Sequence, residues 1–146
     1  MAKVVARASG AVEAPPERVL AFLRDYREAR PRILTSNYTA YRVEEGGDGA
    51  GTVITYNFKA GGRERDYRLR VQESDGALEE RDELSSFVST WTVSASGAGS
   101  DVTLESSWDG AGGIGGFFER TFAPRSLGRI YREMLARLAA AVSVSS

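Results

Sequence analysis

The sequence predicts an α+β protein in which a curved antiparallel sheet of about seven strands wraps a long C-terminal helix. Three observations carry this expectation. Residues 3–13 and much of Tyr38–Asp109 alternate apolar and polar side chains, the period-two pattern of half-buried strands. Short Gly- and Asp-containing separators cut the second stretch at hairpin spacing. From Leu127 to Val142 the apolar residues then recur at helical spacing.

In the first strand Val4, Ala6, Ala8, Gly10 and Val12 share one face, and Ala14-Pro15-Pro16 ends it. Proline suits a first helical turn, where its missing N–H would have no partner. A short helix follows from about Pro16 to Asp25, with Val19, Leu20, Phe22 and Leu23 as its apolar stripe. A second short helical piece or turn runs to Pro31, because the residue before proline is pushed out of the helical region. The strands expected next are Tyr38–Glu44, Thr52–Ala60, Arg63–Ser74, Ala77–Leu84, Ser86–Ala95 and Asp101–Asp109. Gly61-Gly62 and Asp75-Gly76 are hairpin signals, since tight hairpin turns demand positive φ. In the closing helix Leu127, Ile130, Tyr131, Met134, Leu135, Leu138 and Val142 recur at helical spacing, and Pro124 kinks or breaks any helix that begins near Ile114.

The chain has 146 residues, 19 basic and 20 acidic, with no histidine and no cysteine. A length in the range of roughly 100–200 residues argues for one domain spanning 1–146. The missing residue types exclude Ser-His-Asp and Cys-His relays, disulfides and Cys/His zinc sites, so neither a metal nor a cofactor is expected. Near-neutral charge argues against a nucleic-acid partner. No apolar run is long enough for a membrane span, and no secretory leader is visible, so a cytoplasmic protein is expected.

A sheet gripping one helix leaves a space between them that is a small-molecule site by default. If Asp75-Gly76 makes a two-residue turn, Val71 faces Glu80, Leu69 faces Asp82 and Tyr67 faces Leu84. The other face then carries Arg68, Arg70, Gln72, Glu79, Arg81 and Glu83, a charged ladder suited to solvent. Tyr67, Leu69, Val71, Leu78 and Leu84 therefore point inward and carry Glu80 and Asp82 with them. Two inward carboxylates need partners or altered protonation. They are either acid/base groups and anchors for a ligand hydroxyl, or they pair with arginine, and Arg65 lies on the same face. Ile54, Tyr56 and Phe58 point inward on the next strand, as do Phe87, Ser89, Trp91, Val93, Val102, Leu104, Ser106 and Trp108 on the last two. Tyr56, Tyr67, Trp91 and Trp108 thus converge, and aromatics with a polar tip suit flat, oxygenated ligands. The loop Gly110–Gly116 lacks the Gly-Lys-Ser/Thr ending of a phosphate loop. It reads as a plain turn or as a hinge at the cavity mouth, with Phe117, Phe118 and Phe122 as cover. Tyr131 and Met134 face the cavity from the closing helix, while Arg125 and Arg129 lie on its solvated side or at the rim.

The segment Ala14–Tyr26 (A-P-P-E-R-V-L-A-F-L-R-D-Y) resembles the first strand-to-helix junction of the START-like superfamily. This is the helix-grip fold shared by birch-pollen-allergen-like proteins and polyketide cyclases/dehydrases. Gly49-Ala50-Gly51-Thr52-Val53 is similar to that family's glycine turn. Trp91-Thr92-Val93 with Gly97–Thr103 is similar to its last hairpin. The resemblance spans the whole chain and implies a cavity for a hydrophobic ligand. The expected function is therefore binding of an aromatic or polyketide-like molecule for sequestration or carriage, with Tyr56, Phe58, Tyr67, Leu69, Glu80, Asp82, Trp91, Trp108, Phe117, Phe118, Tyr131 and Met134 as the binding set. The alternative is a polyketide aromatase/cyclase, with Glu80, Asp82 and Tyr67 as catalytic candidates.

Overall fold

The chain enters its sheet at one edge, crosses to the other through its helices, and meanders back. The computed structural model describes residues 3–109 and 124–143. Strand β1 (Lys3–Val12) is followed by helix α1 (Pro16–Arg24) and by a single 3-10 turn, Arg30–Ile33. Then come β2 (Tyr38–Glu45), β3 (Val53–Ala60), β4 (Arg63–Ser74), β5 (Ala77–Asp82), β6 (Val88–Ser96), β7 (Gly99–Asp109) and helix α2 (Pro124–Ser143). The seven strands lie in the order β1-β7-β6-β5-β4-β3-β2, with every neighbouring pair antiparallel. This is the expected helix-grip α+β arrangement, but the second short helical piece is a 3-10 turn that begins at Arg30 instead of ending at Pro31, because proline sits without penalty in a first helical turn.

Local chemistry sets the boundaries. Pro15 is extended, and its carbonyl accepts from Arg18 N–H and Val19 N–H, starting α1. Gly61 and Gly62 both take positive φ (60° and 80°), the geometry of a tight hairpin that matches strand twist. At Asp75-Gly76 only the glycine does so (73°). The β4–β5 register is Leu69 opposite Asp82, Val71 opposite Glu80 and Gln72 opposite Glu79, as the two-residue turn requires.

Leu84 departs from expectation. It is 60 % exposed and does not face Tyr67, because β5 ends at Asp82. The Asp82 carboxylate accepts the Leu84 N–H at 3.3 Å and the Ser85 hydroxyl at 2.6 Å, which folds residues 83–87 into a turn and stops the alternation.

Helix α2 packs mainly against β1. The small inner face of that strand allows the approach: Ala6 and Ala8 are buried, and a side chain at Gly10 would already touch Leu135 at 3.6 Å. With the helix drawn to β1, the opposite half of the sheet is covered by its own large side chains. That half carries the site. No helix among the described residues is long and apolar enough to cross a membrane.

Candidate functional site

A cavity of about 30 Å³ lies between the sheet and α2. That volume is room for a water or two, far below the roughly 300–1,000 Å³ of a small-molecule site. Its walls come from nearly every element. β3 and β4 supply Ile54, Tyr56, Phe58, Tyr67 and Leu69, β5 supplies Glu80, and β6 and β7 supply Ser89, Trp91 and Leu104. Leu127, Tyr131 and Met134 come from α2, Arg30 from the 3-10 turn, and Leu34, Tyr38, Tyr41 and Phe87 complete the lining.

The aromatic rings fill the space by edge and face contacts. Tyr38 meets Tyr56 and Phe58 edge-on with centroids 5.1 and 4.9 Å apart, Tyr56 stacks on Tyr67 at 5.3 Å, and Tyr67 meets Phe87 at 5.0 Å. Tyr38 and Tyr41 both reach the cavity although three residues apart. A register shift between Thr39 and Arg42, with Ala40 at φ 55°, lets β2 present both.

Three of the tyrosine hydroxyls in the lining are engaged. Tyr41 donates to the Tyr26 carbonyl at 2.6 Å, and Tyr38 donates to Met134 Sδ at 3.5 Å. The Tyr131 and Ser106 hydroxyls are 2.7 Å apart, and Ser106 and Ser89 are 2.5 Å apart, forming a chain of three. Burial pushes the Tyr131 hydroxyl up to about 12, opposed by its serine hydrogen bonds. Burial likewise raises Tyr26, Tyr38, Tyr41 and Tyr56 well above the ordinary tyrosine value.

One buried ion pair faces this cluster. Glu80 Oε2 accepts from Tyr26 Oη at 2.5 Å and from Arg30 Nη1 at 2.8 Å, and Nη1 also donates to the Leu23 carbonyl at 3.1 Å. The Arg30 guanidinium lies over the Tyr26 and Trp91 rings, 4.6 and 4.8 Å from their centroids. Burial works against its charge, but Glu80 and Tyr26 outweigh that and raise Arg30 further above the ordinary arginine value. Its Nε–H has no partner among the described residues, an omission that costs about 1–3 kcal/mol or more for a charged group.

Of the expected binding set, Tyr56, Phe58, Tyr67, Leu69, Glu80, Trp91, Tyr131 and Met134 line the cavity. Asp82 and Trp108 are not among the lining residues. Asp82 is spent on structure: besides the turn contacts it accepts from Arg65 Nη2 at 2.6 Å and Arg68 N–H at 3.0 Å. Trp108 is buried and stacks on Phe87, with centroids 5.9 Å apart. Phe117, Phe118, Phe122 and the Gly110–Gly116 loop lie outside the described residues. Arg125 and Arg129 are exposed on α2. Tyr26, Arg30, Tyr38 and Tyr41 were not expected from the sequence. The signal for Arg30 was the pair of inward carboxylates, which required more cations than Arg65 alone. The signal for Tyr38 and Tyr41 was their spacing, which only a bulge reconciles with one face.

Comparison with known proteins agrees with this architecture. The chain is 45% identical to the KanY protein, whose structure was solved in solution by NMR; the match covers 98% of this chain and 99% of that one, with a TM-score of 0.88. TTHA0849 from Thermus thermophilus is 20% identical, over 98% of this chain and 99% of its own, at a TM-score of 0.78. The Zhui aromatase/cyclase from a Streptomyces species, R1128, is 13% identical over 97% and 94% of the two chains, at 0.74. At such low identity these last two share the fold. No curated protein matches the sequence significantly. The profile of one family, described as polyketide cyclase / dehydrase and lipid transport, matches residues 1–143. The chain belongs to the polyketide cyclase / dehydrase and lipid transport family.

Proposed function

We propose that this chain binds a hydrophobic, aromatic or polyketide-like molecule between the sheet and α2, for sequestration or carriage, without transforming it. The observation that carries this reading is the state of the two inward carboxylates. Glu80 is tied to Arg30 and Tyr26, and Asp82 is used up in a turn, so neither is a free base. The walls around them combine aromatic faces with hydroxyl tips, which bind an oxygenated ring system by burying its faces and orienting its oxygens. With about 30 Å³ of free space, the ligand enters by displacing rings of the Tyr38–Tyr56–Phe58 cluster, so binding includes a repacking step.

The protein has two tryptophans, and Trp91 lines the cavity. In a Trp108→Phe variant, titration with a panel of hydroxylated anthraquinones and flavonoids should quench Trp91 saturably, with Kd in the micromolar range or below. Absence of saturable quenching across the panel, together with no retained ligand in native mass spectra, overturns the proposal.

The family description favours a second reading, a polyketide aromatase/cyclase. There Glu80 would take a proton from the carbon next to a ketone while Tyr56 or Tyr67 hydrogen-bonds the resulting enolate oxygen. Glu80→Gln then lowers cyclisation of a poly-ketone substrate by about a hundredfold or more, and unchanged turnover removes Glu80 from that role.

A further inference from the structure

We propose that the Nε–H of Arg30 is the donor that receives a neutral carbonyl oxygen, of a ketone or quinone, from the molecule held in the cavity. This deepens the binding reading above and rests on it.

Three features converge on that atom. First, Arg30 lines the cavity and is 4 % exposed, yet its Nε–H has no acceptor among the described residues. Second, the guanidinium is not free to find one. Both hydrogens of Nη1 are committed to the Leu23 carbonyl and Glu80, and the planar group is held over the Tyr26 and Trp91 rings. Third, the cavity hydroxyls of Tyr38, Tyr41 and Tyr131 are already engaged elsewhere, which leaves a charged donor as a strong polar handle in an aromatic enclosure.

Charge decides what kind of acceptor fits. Glu80 already balances Arg30 at 2.8 Å. A ligand carboxylate at Nε would stand beside the Glu80 carboxylate in a buried site with one cation between them. A neutral carbonyl satisfies the donor and adds no charge. The surrounding ring faces select a flat carbon frame to carry it.

Fluorenone, fluorene and fluorenecarboxylate share one tricyclic frame and differ in the group they offer. The native protein should bind fluorenone about tenfold or more tightly than either of the others. Its Arg30 side-chain Nε–H resonance should move with fluorenone and stay in place with fluorene. Arg30→Lys keeps a cation for Glu80 but removes this donor. It should abolish the preference, bringing the fluorenone and fluorene affinities of the variant within about threefold of each other. If that variant does not fold, Arg30→Met combined with Glu80→Gln removes the ion pair together with the donor and should give the same loss. Equal affinity for fluorenone and fluorene in the native protein overturns the Arg30 assignment and leaves the binding reading standing. Carboxylate binding as tight as fluorenone overturns the neutral acceptor. Failure of all three probes to bind overturns the binding reading itself.

Discussion

Glu80 and Asp82 sit two residues apart on one strand face, and their neighbours give them opposite tasks. Asp82 has a fully buried side chain that meets Arg65, Arg68 N–H, Leu84 N–H and Ser85 Oγ, and Arg65 in turn lies over Tyr67 at 4.4 Å. An Asp82→Asn change places an amide N–H₂ group against donors and strips Arg65 of its counter-charge. Breaking a buried pair from one side costs about 3–5 kcal/mol. Asp82→Asn should therefore lower unfolding free energy in urea by roughly that amount, with cavity ligand affinity nearly unchanged in the folded fraction. Lost affinity at full stability would return Asp82 to the site. The inward direction of both carboxylates was legible because one Asp-Gly turn sets the register of the whole hairpin. Their partners were less so. Arg30 sits in the polar run Arg27–Arg32, where no periodicity marks a buried side chain, and only tertiary contact with Trp91 and Glu80 buries it.

Strands joined by glycine separators were readable from the sequence almost to the residue, since period-two alternation and turn chemistry point the same way. The exceptions are places where a side chain or a bulge interrupts the alternation. The turn at residues 83–87 depends on Asp82 reaching forward to Ser85, a contact invisible to periodicity. The β2 bulge depends on Ala40 adopting φ 55°, which costs a residue with a Cβ about 1–2 kcal/mol. Ala40 is exposed, so glycine there loses no packing, although it adds about 0.4–1 kcal/mol of unfolded-chain entropy. Ala40→Gly should raise stability by about 0.5–1 kcal/mol in denaturant unfolding. Gly46 supplies the opposite case. Its φ is 68°, and an added Cβ would lie 2.9 Å from the Thr52 Cα, a backbone atom that cannot step aside. Gly46→Ala should cost about 2 kcal/mol or more by the same measurement. A destabilised Ala40→Gly would show that the bulge is held by something other than backbone conformation.

Over the whole molecule, the aromatic interior makes stability a function of alkaline pH. The chain has six tyrosines, and burial holds Tyr26, Tyr38, Tyr41, Tyr56 and Tyr131 above the ordinary tyrosine value of 10.0. The neutral hydroxyl is the protonated form, so below pH 10 folded and unfolded chains bind these protons equally and contribute no slope. Above that value the unfolded chain releases them while the folded chain keeps them. Stability therefore falls as pH rises from 10 toward each raised folded value, by about 1.4 kcal/mol per pH unit for each such tyrosine. Five together outrun the roughly 5–15 kcal/mol stability of an ordinary domain within a few pH units. Tyrosinate absorbance should accordingly stay low past pH 10 and then rise in one cooperative step, coincident with loss of the far-ultraviolet circular dichroism. Tyr131→Phe should flatten the slope by one group's share. A saturating cavity ligand binds only the folded state and should move the step to higher pH. If the five instead ionise near pH 10 with the fold intact, water reaches the cavity freely and the closed aromatic interior is not the resting state of the protein.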